Sequence, residues 1–193
     1  TFSLKDFNFS PSDYTALTHA ITHRHTMLVA GETGVGKTAL LNILIPMIDQ
    51  NERIIAIEDV QELVIPHQDC TMLNYSETQH KGSNVNIKSL LGASLRLAPD
   101  RIIFGELLYN NAFTFLKSLN TGHKGGLATI HANSPKDALT ALAEYIMADP
   151  QVELSANGLS VIQHQLSRYI DGVVHLSRDK KYRVRGVYEA ITH

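Results

Sequence analysis

Disulfides are excluded at once. The 193 residues hold a single cysteine, Cys70, so one chain forms neither an internal disulfide nor a four-cysteine zinc site. Long apolar runs are missing as well. The longest, Ala39 to Ile48, is broken by Asn42 and Pro46 and falls short of the ~18–20 residues of a membrane span. No positively charged leader with an apolar core opens the chain. Neither sign of charge dominates: 17 basic against 19 acidic residues leave −2. That balance excludes a generally basic nucleic-acid-coating protein but leaves a local basic patch open. Repeats and low-complexity tracts are absent, and the lack of tryptophan implies nothing. What is there is an apolar fraction of 44% with only 19% charged residues, which suits a packed core and not a disordered polyampholyte. The length suits one globular domain. The expectation is a single soluble, intracellular domain.

Apolar runs alternate with helical patterns along the chain. Ser10-Pro11-Ser12-Asp13 reads as a helix start, with Ser10 as cap and Pro11 at the first helical position, and the helix runs to about Thr22. Thr26 to Ala30 is a buried-strand pattern. Lys37 to Ile45 reads as a helix stopping near Pro46. Arg53 to Glu58 is an isoleucine-rich strand, and Gln61 to Ser76 reads as short strands and turns. A helix over Asn86 to Leu97, a strand over Arg101 to Phe104, a helix over Leu107 to Leu119 and a strand over Leu127 to His131 follow. Ser134-Pro135-Lys136-Asp137 repeats the capping signature and opens a helix to about Met147. Another helix spans Gly158 to Ile170. The tail, Gly172 to Leu176 and Tyr182 to Tyr188, reads as a hairpin turning at Arg178 to Lys181. Strands alternating with helices predict an α/β fold: a mostly parallel sheet flanked by helices, with antiparallel strands added by the terminal hairpin.

Gly31-Glu32-Thr33-Gly34-Val35-Gly36-Lys37-Thr38 fits G-x-x-x-x-G-K-[ST] in full and sits between a predicted strand and a predicted helix. Glycines let successive N–H groups turn toward phosphate oxygens, and the helix aims its positive end at the same anion. Lys37 reaches the β- and γ-phosphates, and the Thr38 hydroxyl coordinates Mg²⁺. A chance match in a chain this long is about a percent or less. The residues imply binding of a nucleoside triphosphate with Mg²⁺.

Ligands of parallel sheets sit beyond the carboxyl ends of the strands. Four runs deliver polar residues there: the phosphate loop, Glu58-Asp59, Gly105-Glu106, and His131-Ala132-Asn133-Ser134. If the strands are neighbours, these groups face one site. Hydrolysis needs a group that orients or deprotonates water, and Glu106 is the candidate. Gly105 occupies the place where an aspartate often ends such a strand, which leaves the metal to Thr38 and waters. Glu58 or Asp59 can hold one of those waters. His131 can contact the γ-phosphate.

Gly31 to Thr38, Ile57-Glu58-Asp59, Pro99 to Glu106, Thr121-Gly122-His123 and Thr129 to Ser134 occur in an order and spacing that resemble the secretion (traffic) ATPase superfamily. The stretch Leu119 to Ser134 is especially similar to the hexameric ATPases of type IV secretion and conjugative transfer, and Pro66-His67 after Glu62-Leu63 also resembles them. The resemblance covers nearly the whole chain. It implies a RecA-like P-loop NTPase fold over 1–193, with Gly31 to Thr38 as the Walker A loop and Glu58 and Asp59 in an aspartate box. Glu106 would be the catalytic Walker B residue, and His123 and His131 would belong to a histidine box. It also implies ATP and Mg²⁺ as ligands and a homohexameric ring. The ring would meet other secretion subunits on the cytoplasmic side of the inner membrane, with no sequence-specific nucleic-acid binding. The family's usual amino-terminal domain would lie outside this chain. Three departures stand out: Leu108 where the family has arginine, Asn110 and Asn111 where it often has charge, and Ala98 in place of another arginine. They predict nucleotide binding with weak hydrolysis. A nucleotide-gated assembly subunit and a small nucleotide kinase are the alternatives.

Weaker signals remain. His19 and His23 share a helix face at i, i+4 with His25 nearby, a spacing that can bind metal but lacks a carboxylate or thiol partner. His67 and Cys70 have too few companions for zinc. The basic run Arg178 to Arg185 reads as a solvated hairpin. Arg24, Arg53, Arg96 and Arg101 are the candidates for an arginine acting between subunits.

Overall fold

A computed structural model describes residues 3–75, 87–152, 157–179 and 184–191. Seven strands form one sheet: β1 Met27–Gly31, β2 Ile54–Glu58, β3 Cys70–Asn74, β4 Arg101–Phe104, β5 Leu127–Ile130, β6 Gly172–Arg178 and β7 Val184–Ala190. Their order is β3-β2-β4-β5-β1-β6-β7. Every neighbouring pair is parallel except β6 with β7. The tail forms the expected antiparallel hairpin, β6 with β7. Its first strand extends the parallel sheet, pairing Met27 with Gly172 through Gly31 with Leu176, and only the last strand turns back. The preceding helix supplies the crossover that a parallel strand needs. Of the basic run, Lys180, Lys181 and Arg183 lie outside the described residues.

Alternation along the strands divides the core. Leu28, Ala30, Ile55 and Ile57 face one apolar layer, and Met27, Val29, Ile54 and Ala56 the other. The first layer is covered by α3 Ile87–Arg96, α4 Ala112–Asn120, α5 Pro135–Met147 and α6 Gly158–Tyr169. The second is covered by α1 Pro11–Thr22 and α2 Lys37–Leu44. Burial on both faces explains why the central strands are continuous apolar runs.

The caps read from sequence form: Ser10 accepts from Asp13 N and Ser134 from Asp137 N, each at 3.1 Å. Past α2 the chain makes a single 3-10 turn, Ile45–Met47, through Pro46. One helix begins later than expected. The segment 107–111 is not helical because Leu107 N donates to Thr129 O of β5 at 2.8 Å and Leu108 N donates to the Asn111 side chain. These bonds tie the segment to β5 and to the Asn111 side chain, and α4 starts at Ala112.

Candidate nucleotide site

β2, β4, β5 and β1 are consecutive in the sheet, so the four polar strand ends become neighbours. They surround a cavity of about 450 Å³ lined by Thr33, Gly34, Gly36, Lys37, Thr38, Glu58, Asp59, Tyr75, Gly105, Glu106, Leu108, Thr129 and His131, among others. The loop after β1 turns with Gly34 at φ 71° and Gly36 at φ 104°, left-handed values that side chains resist. Gly36 is the N-cap of α2, which places the unsatisfied N–H groups of that helix at the cavity. Gly31 and Glu32 line an adjoining recess with His131, whereas Val35 turns into the core, 3% exposed.

Lys37 is buried. Its Nζ donates to Gly31 O at 3.0 Å and to Glu32 O at 3.1 Å, and lies 3.0 Å from His131 Nδ1. An ammonium only donates, so Nδ1 accepts and a neutral His131 carries its proton on Nε2. Nε2 in turn lies 2.7 Å from Glu106 Oε1. Lysine, histidine and glutamate thus form one chain of close polar contacts at the ends of β1, β5 and β4. Burial lowers the Lys37 pKa, and the Glu106 carboxylate opposes that shift.

Glu58 is nearly closed off, 3% exposed. Its Oε1 accepts from Glu62 N at 3.2 Å and Leu63 N at 3.0 Å, while its Oε2 has no partner among the described residues. Burial raises its pKa, and the two N–H donors pull the other way. The Glu58 side chain also explains the missing aspartate at 105. A Cβ on Gly105 would come within 2.9 Å of Glu58 Cγ and 3.0 Å of Glu58 Oε1. Asp59 and Thr38 both line the cavity, Asp59 exposed and Thr38 half-buried.

The structure also separates residues that the sequence grouped. His131 follows β5 and lines the cavity, but His123 precedes β5 and sits in a different recess, beside His23, Arg24, His25, Lys124 and Arg168. His19 and His23 stack at 3.7 Å with His25 edge-on. Among the described residues no group of three His, Cys, Asp or Glu could hold a metal. His67 is buried with Nε2 3.3 Å from Ile48 O, and Cys70 is half-buried at the start of β3. Three of the four candidate arginines are engaged near the opposite ends of the strands. Arg101 is fully buried against Glu52, Arg24 pairs with Glu52 and Asp100, and Arg53 pairs with Asp69. Arg96 is exposed at the end of α3. Ala98 is exposed with φ 49°.

Sequence reasoning missed two contacts. The Arg178 guanidinium, at the end of β6, donates to Gly34 O of the loop; a basic run at a hairpin gave no hint of that reach. Asn111, noted only as a lost charge, is fully buried and bonds to Leu108 N, Glu106 O and Tyr75 Oη.

Sheet order, glycine loop and strand-end carboxylates define the class: a RecA-like α/β protein with a phosphate-binding loop. Within that class, the chain belongs to the family described as Type II/IV secretion system protein, which it matches over residues 1–188. It is 36% identical over 186 residues to the type IV secretion system protein VirB11 of Bartonella quintana (strain Toulouse), covering 93% of this chain and 51% of the relative. It is 38% identical over 161 residues to the type IV secretion system protein PtlH of Bordetella pertussis (strain Tohama I), covering 82% and 47%. The VirB11 ATPase of the Brucella suis type IV secretion system, solved with sulphate, superposes with a TM-score of 0.79 at 29% identity, over 94% of this chain and 52% of that one. The chain therefore spans about half the length of the relatives it matches. No helix among the described residues is long and apolar enough to cross a membrane.

Proposed function

We propose that this chain is the Mg²⁺–ATP-binding motor portion of a type IV secretion or conjugation ATPase, hydrolysing ATP to power substrate translocation or pilus assembly. The observation that carries the reading is the chain Lys37–His131–Glu106 at the mouth of a phosphate-binding loop, in a member of a secretion-ATPase family. In the proposal, phosphate oxygens take the Lys37 donors now held by His131 and two loop carbonyls. His131, released from the lysine, stays beside Glu106 at the γ-phosphate. Glu106, 42% exposed at its side chain, orients and deprotonates the attacking water.

The residues fit Mg²⁺ as a nucleotide-borne ion. Such sites use one or two protein oxygens plus phosphates and water, so a protein cage is not required. Thr38 would hold the metal directly, and Glu58, whose buried Oε2 has no partner among the described residues, or Asp59 would hold it through water. When bound, the ion neutralises charge developing on the phosphates. Leu108 contributes no cation to the cavity. Charge compensation then rests on Lys37, the metal and, in a homohexameric ring, a group from the neighbouring subunit. The ring would sit on the cytoplasmic side of the inner membrane, held there by other secretion subunits.

Equilibrium titration with ATP, phosphate release and light scattering with and without Mg²⁺–ATP test the proposal together. The expected results are tight binding that Lys37→Ala weakens by about 10- to 150-fold, the equivalent of a charged hydrogen bond of about 1.5–3 kcal/mol. Hydrolysis should be lost in Glu106→Gln, and mass should rise with nucleotide. A protein that binds no ATP, or a Lys37→Ala variant of unchanged affinity, overturns it. Transfer of the γ-phosphate to a nucleoside monophosphate instead of water would point to a kinase.

A further inference from the structure

The backbone that carries Glu106 is tied down at every peptide from 105 to 108. Gly105 N donates to Ile57 O at 3.0 Å, Thr129 Oγ1 donates to Gly105 O at 2.6 Å, and Leu107 N donates to Thr129 O at 2.8 Å. The remaining two ties come from one side chain. Asn111 Nδ2 donates to Glu106 O at 2.7 Å, and its Oδ1 accepts from Leu108 N at 2.8 Å. The same Nδ2 lies 3.0 Å from Tyr75 Oη.

Chemistry permits only one orientation of this carboxamide. An amide N–H cannot accept and a carbonyl cannot donate, so Oδ1 must face Leu108 and Nδ2 must face Glu106. A carboxylate at 111 would set an oxygen against the Glu106 carbonyl. Although Asn111 is the N-cap residue of α4, its side chain makes no capping bond; it reaches back over the turn instead. Tyr75 anchors the far side, because its own N–H donates to Glu58 O at 3.0 Å. The clamp therefore joins the turn after β4 to the chain leaving β3 and the end of β2.

We infer that Asn111, seconded by Tyr75, is a positioning residue for hydrolysis that fixes where the Glu106 carboxylate stands beside the nucleotide. The inference rests on the reading of Glu106 as the water-activating group. That carboxylate is half-exposed, and its one side-chain partner among the described residues is His131. Its location in space is therefore set by its backbone, which the neutral amide holds in a position where the family often carries charge.

The experiment uses the whole chain. Asn111→Asp keeps size and shape and reverses the donor facing Glu106 O. Tyr75→Phe removes only the outer anchor and spares the fold should Asn111→Asp melt. Each is measured for kcat and KM of phosphate release, for affinity toward a fluorescent non-hydrolysable ATP analogue, and for thermal midpoint, with and without Glu106→Gln. A displaced catalytic group costs on the order of 10- to 100-fold in rate. The expected result is that loss in kcat for Asn111→Asp and a smaller loss for Tyr75→Phe. KM and analogue affinity should stay within about 2-fold, and no further loss should appear in the Glu106→Gln background. A folded Asn111→Asp or Tyr75→Phe variant with wild-type kcat overturns the inference, as does a loss that persists in full without Glu106. Hydrolysis that survives Glu106→Gln at the wild-type rate overturns the reading of Glu106 and the inference with it. Loss in Glu106→Gln with a fully active Asn111→Asp overturns the inference alone.

Discussion

Replacing Gly105 with alanine should destabilise the protein through Glu58. The backbone at 105 is not left-handed, so the demand for glycine is spatial. The added methyl would stand 2.9 Å from Glu58 Cγ, 3.0 Å from Oε1 and 3.4 Å from Cδ, against the ordinary contact of about 3.5–4.0 Å. Glu58 cannot swing aside freely, because its Oε1 holds the N–H groups of Glu62 and Leu63 and the side chain is buried. Overpacking of this kind costs about 1–3 kcal/mol. Pulling the carboxylate off one buried N–H adds about 1–3 kcal/mol more. We expect a loss of about 2–6 kcal/mol, which lowers the thermal midpoint by roughly 4–24 °C in a chain of this size. Urea unfolding of wild type, Gly105→Ala, Glu58→Ala and the double variant isolates the cause. In the Glu58→Ala background the methyl has room, and its cost should fall below about 1 kcal/mol. A Gly105→Ala variant within about 0.5 kcal/mol of wild type, or an equal cost with and without Glu58, refutes the reasoning.

Arg101→Met should cost about 3–5 kcal/mol, because it strands Glu52 from a buried bidentate partner at 2.7 and 2.9 Å. Adding Glu52→Leu should recover most of that loss in the same denaturation assay. Arg178→Ala removes the guanidinium that holds Gly34 O, and should weaken ATP affinity about 2- to 10-fold, the effect of a single hydrogen bond, with less difference at high salt. Glu58 predicts a pH effect. Its folded pKa is raised by burial above the ordinary 4.5, so the fold favours its neutral form. The stability tied to that proton is fully present below the unfolded pKa and is lost as pH rises through the folded one. Urea unfolding of Glu58→Gln, which carries no such proton, should therefore gain on wild type as pH rises through that window; a gap that stays flat counts against the burial account.

Legibility from sequence followed the range of the interactions. The loop Gly31 to Thr38 was readable because backbone conformation, helix end and lysine lie within eight consecutive residues. The central strands were readable because burial on both faces leaves uninterrupted apolar runs. β3 was blurred for the opposite reason: an edge strand, half-buried along most of its length, carries no such pattern. The onset of α4 was misplaced because the segment 107–111 is tied to Thr129 and to the Asn111 side chain, partners that no helical periodicity reveals. The grouping of His123 with His131 came from the family resemblance, and a strand runs between them and sends them to opposite ends of the sheet. Strand order lay beyond the sequence altogether, and it turns four separate polar strand ends into one site.

Gly105, Asn111 and Leu108 change meaning once that site is three-dimensional. Glycine at 105 looks like a missing metal ligand when β4 is considered alone. In the sheet, β2 lies beside β4, and the Glu58 side chain fills the space that a side chain at 105 would need. The carboxylate is supplied by the neighbouring strand, and glycine is the condition for it. Asn111 likewise looks like a lost charge, but the pocket between Leu108 N, Glu106 O and Tyr75 Oη requires one acceptor and one donor on a single planar group. That requirement selects an amide over either sign of charge. Leu108 is different in kind. It lines the cavity with no polar role, and no described cation stands in for it there except Lys37. Gly105 and Asn111 are therefore solutions to packing and hydrogen bonding, whereas Leu108 leaves its place in the cavity without a cation. In the proposed function, any slowness of hydrolysis should trace to residue 108 and not to the geometry that holds Glu106.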